Sequence, residues 1–220
     1  MKKIIIASPN SASESLSACI NQISDHSCFQ ITGVDFRSLI NKKYKNKKIK
    51  KIISLFNYYL NRNDPYMINY SSLRNYSPAP DYPNLAFYHN DIASFNRRTS
   101  FILESLIKEN KIAKQHFPPT LENKIYFNDW KKVILLRKPE EVLNKYISRD
   151  NDILISNEEY KSKLLKEVYN WHDGWKNCDN SLIIYKDDLV NNVYETLKNI
   201  GEYLGINFKI EKDYKFPKIL

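Results

Sequence analysis

Three short runs in this 220-residue sequence hold side chains whose types and neighbours suit chemistry, and each follows or closes an apolar segment. The first is Ser8-Pro9-Asn10-Ser11-Ala12-Ser13-Glu14-Ser15, just after Ile4-Ile5-Ile6. A turn dense in small hydroxyl residues at a helix start is an anion site, because unpaired backbone N–H groups and the positive end of the helix dipole face the ligand. Ser11 or Ser13 acting simply as a helix cap fits the same run. The GxxxxGK[ST] pattern is absent, which argues against an ordinary ATPase or GTPase. The second run is Lys114-Gln115-His116-Phe117-Pro118. A neutral imidazole titrates near working pH and can take a proton from a hydroxyl, and Lys114 sets a cation beside it. A histidine before Phe-Pro-Pro can also be a loop packing residue. The third run is Arg137-Lys138-Pro139-Glu140-Glu141-Val142. A guanidinium fork suits a phosphate, and it suits pairing with Glu140 or Glu141 equally well.

Other chemistries find little support. Cys19, Cys28 and Cys178 form no CxxC pair, and His26, His89 and His172 have no partner spacing for a metal, so no disulfide scaffold and no metal site are expected. Trp171 and Trp175, one helical turn apart, read as a packing stripe. The net charge is +9, but Lys42, Lys43, Lys45, Lys47, Lys48, Lys50 and Lys51 supply seven of it and leave +2 for the rest. That is one patch over 42–51. It reads as a solvated helix surface, with contact to a polyanion or a membrane surface as the alternative, and no nucleic-acid partner is expected. No apolar stretch approaches a membrane span, and the start is too short for a signal h-region, so the expected setting is cytoplasmic.

These runs need elements to position them. With 42% hydrophobic and 27% charged residues, the chain has the composition of a globular protein able to bury a core. Lys2–Ser8 reads as a buried strand, and Leu16, Cys19, Ile20 and Ile23 as the stripe of a helix. Phe29–Val34 is a second strand candidate, and Asn41–Leu60 a basic helix. Asp64–Tyr88 carries four prolines among many tyrosines and reads as irregular, and Asp91–Asn110 reads as a helix. Further strands are expected at Lys111–Gln115, Lys132–Leu136 and Ser181–Tyr185. Helices are expected from Glu140 to about Arg149, over Glu158–Lys176, and through Val193, Leu197, Ile200 and Leu204 to a stop at Gly205. Asp187 and Asp188 would cap that last helix. Strand–helix alternation with apolar strands implies an α/β fold: three layers, a mainly parallel sheet with helices on both faces. In such sheets ligands bind beyond the carboxyl ends of the strands, which gathers 9–15, 115–120 and 137–141 around one crevice.

On four strand-end motifs the chain resembles the sulfotransferases that use 3′-phosphoadenosine 5′-phosphosulfate (PAPS), a family with a P-loop-like fold. The family's phosphosulfate loop is similar to Pro9-Asn10-Ser11-Ala12-Ser13-Glu14, and its 3′-phosphate turn to Arg137-Lys138-Pro139-Glu140-Glu141-Val142. Its Lys-x-His-x-Pro strand end resembles Lys114-Gln115-His116-Phe117-Pro118. Its last strand, acidic turn and helix resemble 183–205, with Asp187-Asp188-Leu189 and Tyr203-Leu204-Gly205. The match spans about residues 1–36 and 111–206, within one domain over 1–220 whose unmatched, insertion-like region 40–110 would form the acceptor site. Asn10 stands where the family has Lys or Arg, Ala12 where it has Gly, Glu14 where it has Thr, Lys145 in a serine slot and Lys186 in a tyrosine slot.

The resemblance implies transfer of a sulfuryl group from PAPS, without a metal, to a hydroxyl or amine. It makes His116 the base and Lys114 the nearest cation. Asn10, Ser11, Ala12, Ser13, Glu14 and Ser15 would form the cradle for the 5′ end, with Arg137 and Lys145 at the 3′-phosphate. The tyrosines of 64–88, with Arg97 and Arg98, suit a carbohydrate or a small hydroxylated metabolite as acceptor. The other reading is a catalytically decayed relative that binds a nucleotide or a polyanion, or serves as an interaction module.

Overall fold

The computed structural model describes residues 1–29, 107, 109–149 and 157–217. The strand expected beyond Phe29, the basic helix and its lysine patch, the Tyr- and Pro-rich stretch, His89, Arg97 and Arg98, and most of the helix expected over Asp91–Asn110 lie outside these residues.

Five strands form a single all-parallel sheet, β1 Lys3–Ala7, β2 Ser27–Phe29, β3 Lys111–Gln115, β4 Lys131–Leu136 and β5 Ser181–Tyr185, in the order β2-β3-β1-β4-β5. The helices are α1 Ser13–Ile23, α2 Leu121–Tyr126, α3 Pro139–Arg149, α4 Glu158–Lys176, α5 Lys186–Asn191 and α6 Val193–Leu204. The apolar run Ile4-Ile5-Ile6 lies mid-sheet, as a strand covered on both faces requires. Its alternate residues serve two cores. Ile4 and Ile6 pack with Ala113, Ile134, Val142, Leu164, Trp171 and Trp175 on the face covered by α3 and α4. Ile5 and Ala7 pack with Leu16, Cys19, Ile20, Leu197, Ile200 and Leu204 on the face covered by α1 and α6. The expected three-layer α/β architecture is present.

Several boundaries differ from expectation, for local reasons. β2 starts at Ser27, because the Asn21 side chain grips both the N–H and the carbonyl of Cys28 and aligns the chain early. α3 begins at Pro139, whose missing N–H is harmless in a first turn. The short helix α2 is capped by Thr120, whose hydroxyl accepts from the Asn123 N–H. Asp187 and Asp188 lie in α5, not at the start of α6: Asp188 accepts the Tyr185 N–H at 3.3 Å, and Asn192 precedes α6. Gly205 ends α6 in the left-handed region at φ 65, a conformation glycine adopts without strain.

The strand order sets the tips of β3, β1 and β4 side by side. From β1 the chain turns toward the β2 edge, and from β4 toward β5, which makes their junction a switch point. The tip of β3 is held from below by α4. Trp175 Nε1 donates to the Phe117 carbonyl at 2.8 Å, and Gly174 lies so close to the next residues that a Cβ there would be 2.4 Å from Pro119 Cγ. Alanine at 174 would gain about 1 kcal/mol of helix propensity and lose more by displacing the proline. Gly174→Ala is therefore expected to lower stability by roughly 1–2 kcal/mol, where an open helix site would gain; chemical denaturation measures the sign.

Candidate functional site

The turn after β1 owes its shape to backbone conformation. Asn10 (φ 58) and Ala12 (φ 64) are both left-handed, and Ala12 is the residue preceding α1. Alternating left-handed residues fold successive N–H groups into a concave nest, and nests hold anions. The turn is pinned at its base by the Ser8 N–H to the Leu135 carbonyl at 2.8 Å and by the Ser11 hydroxyl to the Ser8 carbonyl at 2.7 Å. Ser11 is thereby spent on the turn, and α1 has no side-chain cap. The first amide to close onto a helical carbonyl is that of Leu16, onto Ala12, so the amides of Ser13, Glu14 and Ser15 precede the helix's own ladder. Ala12 occupies the glycine slot of the resembled loop and adopts a glycine-like backbone all the same.

β3 supplies the cation. Lys114 pairs with Ile5 in the register, so its side chain rises on the α1 face. It is 1% exposed, and Nζ donates to Ser13 Oγ and Glu14 Oε1, each at 3.2 Å. Ser13 Oγ donates in turn to Glu14 Oε2 at 3.2 Å. Burial alone would raise the Glu14 pKa, but the Lys114 ammonium, the His116 ring and its own backbone N–H pull it down to about 2. His116, two residues on from Lys114, is buried with Nδ1 2.8 Å from the Ala7 carbonyl. A carbonyl only accepts, so Nδ1 carries the hydrogen, and Nε2 is the nitrogen left to exchange a proton.

β4 closes the other side. Arg137 Nη1 donates to the Asn10 carbonyl at 2.9 Å, and Nε to Glu141 Oε2 at 2.8 Å. The guanidinium thus binds the turn and also makes the Glu141 pair that the sequence allowed. Lys186 Nζ reaches the same Glu141 oxygen at 3.2 Å, and Lys138 pairs with Asp187 at 2.9 Å. Hydrogen bonds from Arg137 and Lys186 hold the Glu141 carboxyl below its usual range. Lys145 stands exposed on α3, four residues past Glu141, and no hydrogen bond or ion pair joins it to the turn.

The structure therefore brings Asn10, Ser11, Ala12, Ser13, Glu14, Lys114, His116 and Arg137 to one crevice, leaves Lys145 at its periphery, and places Ser15 within the first turn of α1. Sequence reasoning missed the Lys114–Glu14 pair, the part of Lys186, and the support from Gly174 and Trp175. Only the placement of Lys186 after a strand gave a signal. Trp171 and Trp175 are fully buried packing residues. Burial drops the His172 pKa to about 4, so it stays neutral. Among the described residues no three His, Cys, Asp or Glu side chains gather as a metal site, and no helix is long and apolar enough to cross a membrane.

No protein-family model matches the sequence, and no curated protein does. Solved structures do. A sulfotransferase from Alicyclobacillus acidocaldarius is 12% identical, with a TM-score of 0.49 over 99% of this chain and 84% of that one. Mouse sulfotransferase SULT7A1, complexed with PAP, is 13% identical, with a TM-score of 0.45 over 94% of this chain and 59% of its own. The sulfotransferase domain of the Synechococcus PCC 7002 olefin synthase is 14% identical, with a TM-score of 0.46 over 94% of this chain and 74% of that one. All three are sulfotransferases.

Two outcomes follow from the geometry. A left-handed alanine is strained by roughly 1 kcal/mol relative to glycine, so Ala12→Gly should raise stability by about that amount in denaturant titration. Glu14 has a folded pKa of about 2 against an ordinary 4.5, so the stability it contributes is complete above about pH 4.5 and is lost as pH falls toward 2. Thermal scans across that window should show a shallower acid-side decline for Glu14→Gln than for the parent.

Proposed function

We propose that the protein is a sulfotransferase that moves a sulfuryl group from PAPS to a hydroxyl or amine of a carbohydrate or small metabolite. The observation that carries this reading is that three strand tips are tied to one another around a single serine-rich turn: Lys114 to Ser13, Arg137 to Asn10 and His116 to Ala7. PAPS would supply the sulfuryl group as co-substrate. The chain's task is then alignment and charge stabilisation.

The residues present suit the donor. The amides of the turn, with Lys114 beside them, would hold its 5′ anionic end. The contacts of Arg137 use two of its five N–H donors, and the others would serve a 3′-phosphate, with Lys145 as a second cation nearby. His116 Nε2 would take the acceptor's proton. The acceptor side is assigned to 64–88 from its tyrosines and prolines alone. A second reading, nucleotide binding without transfer, draws support from Asn10 in the cation slot and from the Glu14 carboxylate beside the turn.

A thermal-shift experiment tests the reading. PAP at a hundredfold excess over its Kd should stabilise the protein by about 2.7 kcal/mol, and ATP with magnesium should not. His116→Ala should abolish sulfuryl transfer and keep the PAP shift, whereas loss of both would make the histidine structural. A PAP shift with no transfer to any hydroxyl or amine acceptor would favour the second reading, and a magnesium-dependent ATP shift would overturn both.

A further inference from the structure

The turn that should receive an anion already faces one from its own chain. Glu14 is in the first turn of α1, and its two carboxylate oxygens are engaged separately, Oε1 by Lys114 Nζ and Oε2 by the Ser13 hydroxyl, each at 3.2 Å. Its own N–H, one of the amides preceding the helical ladder, also lies against the carboxylate. An ammonium, a hydroxyl and a turn amide converging on one negatively charged group are the contacts an incoming phosphate would seek. We propose that Glu14 is a built-in competitor, a tethered carboxylate that occupies the 5′-anion subsite of the free protein and must swing out before a phosphate or phosphosulfate can settle there.

This inference rests on the nucleotide reading above and adds a layer of control to the same site. The two partners differ in their freedom to move. The Lys114 side chain is 2% exposed and pairs with no other carboxylate among the described residues, whereas the Glu14 side chain is 44% exposed and borders water. An arriving anion therefore takes over the lysine, and the carboxylate rotates into solvent, where it is well hydrated and still close to the positive end of the helix. Tethering makes the competitor permanent, because it is present at an effective concentration no dilution changes. It is also charged at any working pH, since its contacts hold its pKa at about 2. A monovalent carboxylate yields to a ligand with more charge and more donors to satisfy, so the device admits dianionic 5′ groups and resists weak anions.

The test compares two probes that differ only at the 5′ end. Affinities for 3′-phosphoadenosine 5′-phosphate and for adenosine 3′-phosphate are measured by isothermal calorimetry on the parent, Glu14→Gln and Glu14→Ala, each checked for folding by circular dichroism. Both variants should bind the bisphosphate about tenfold tighter than the parent does and adenosine 3′-phosphate within about twofold of it. The two substitutions keep the test sound if either one folds poorly. An unchanged or weaker affinity for the bisphosphate in both variants, with the parent still binding it, overturns the competitor and leaves the proposed function standing. Equal tightening toward both probes overturns it too, since it would mark a general change of field. No binding of the bisphosphate to any of the three proteins overturns the inference together with the function it rests on.

Discussion

A lysine ammonium sealed from water must find its counter-charge inside the protein, and at the carboxyl end of this sheet that need fixes the geometry around it. Lys114 enters from β3, beside β1, and among the described residues it meets its counter-charge at the start of α1, where Ser13 and Glu14 receive it. Arg137 applies the same logic from β4 by reaching the Asn10 carbonyl. The turn between β1 and α1 is thus stretched between two neighbours, and its left-handed residues are kept in place by contacts at either side. The nest owes its shape to backbone and its charge to other strands.

That division explains how the chain can depart from the resembled loop and keep its form. Asn10 brings no charge, but Lys114 delivers one from another strand. Ala12 brings no freedom at φ, yet the backbone there holds a glycine conformation against a modest strain. The cations of the crevice also carry carboxylate partners: Lys114 with Glu14, Arg137 and Lys186 with Glu141, and Lys138 with Asp187. The crevice thus holds a counter-charge of its own for each of these cations.

Much of this fold was legible in the sequence. Ile4-Ile5-Ile6, Val133-Ile134-Leu135-Leu136 and Leu182-Ile183-Ile184 are apolar on both sides, which only a covered parallel strand demands, and α4 was readable to its terminal residues. Two six-residue helices were not, because α2 and α5 hold too few turns to show a period and start from a single Thr120 or Asp188 contact. Which loops would gather was also legible, since a parallel sheet lifts its strand ends to one side. Which side chains would pair was legible only locally: Arg137 with Glu141 is a four-residue interval. Lys114 with Glu14 and Gly174 with Pro119 join distant parts of the chain, and spacing along a sequence says nothing of such meetings.

The approach of Gly174 to Pro119 also constrains how α4 can change in length. Its buried side, with Leu164, Val168 and Trp171 against the sheet and Trp175 on the Phe117 carbonyl, is in phase with the tip of β3. One residue inserted between Leu164 and Gly174 would rotate the far end by about 100° and turn the glycine's bare flank away from the proline. Insertions and deletions are therefore better tolerated ahead of Leu164, toward the exposed Glu158 and Glu159, and the helix acts as a ruler whose zero mark is set by the loop that follows β3.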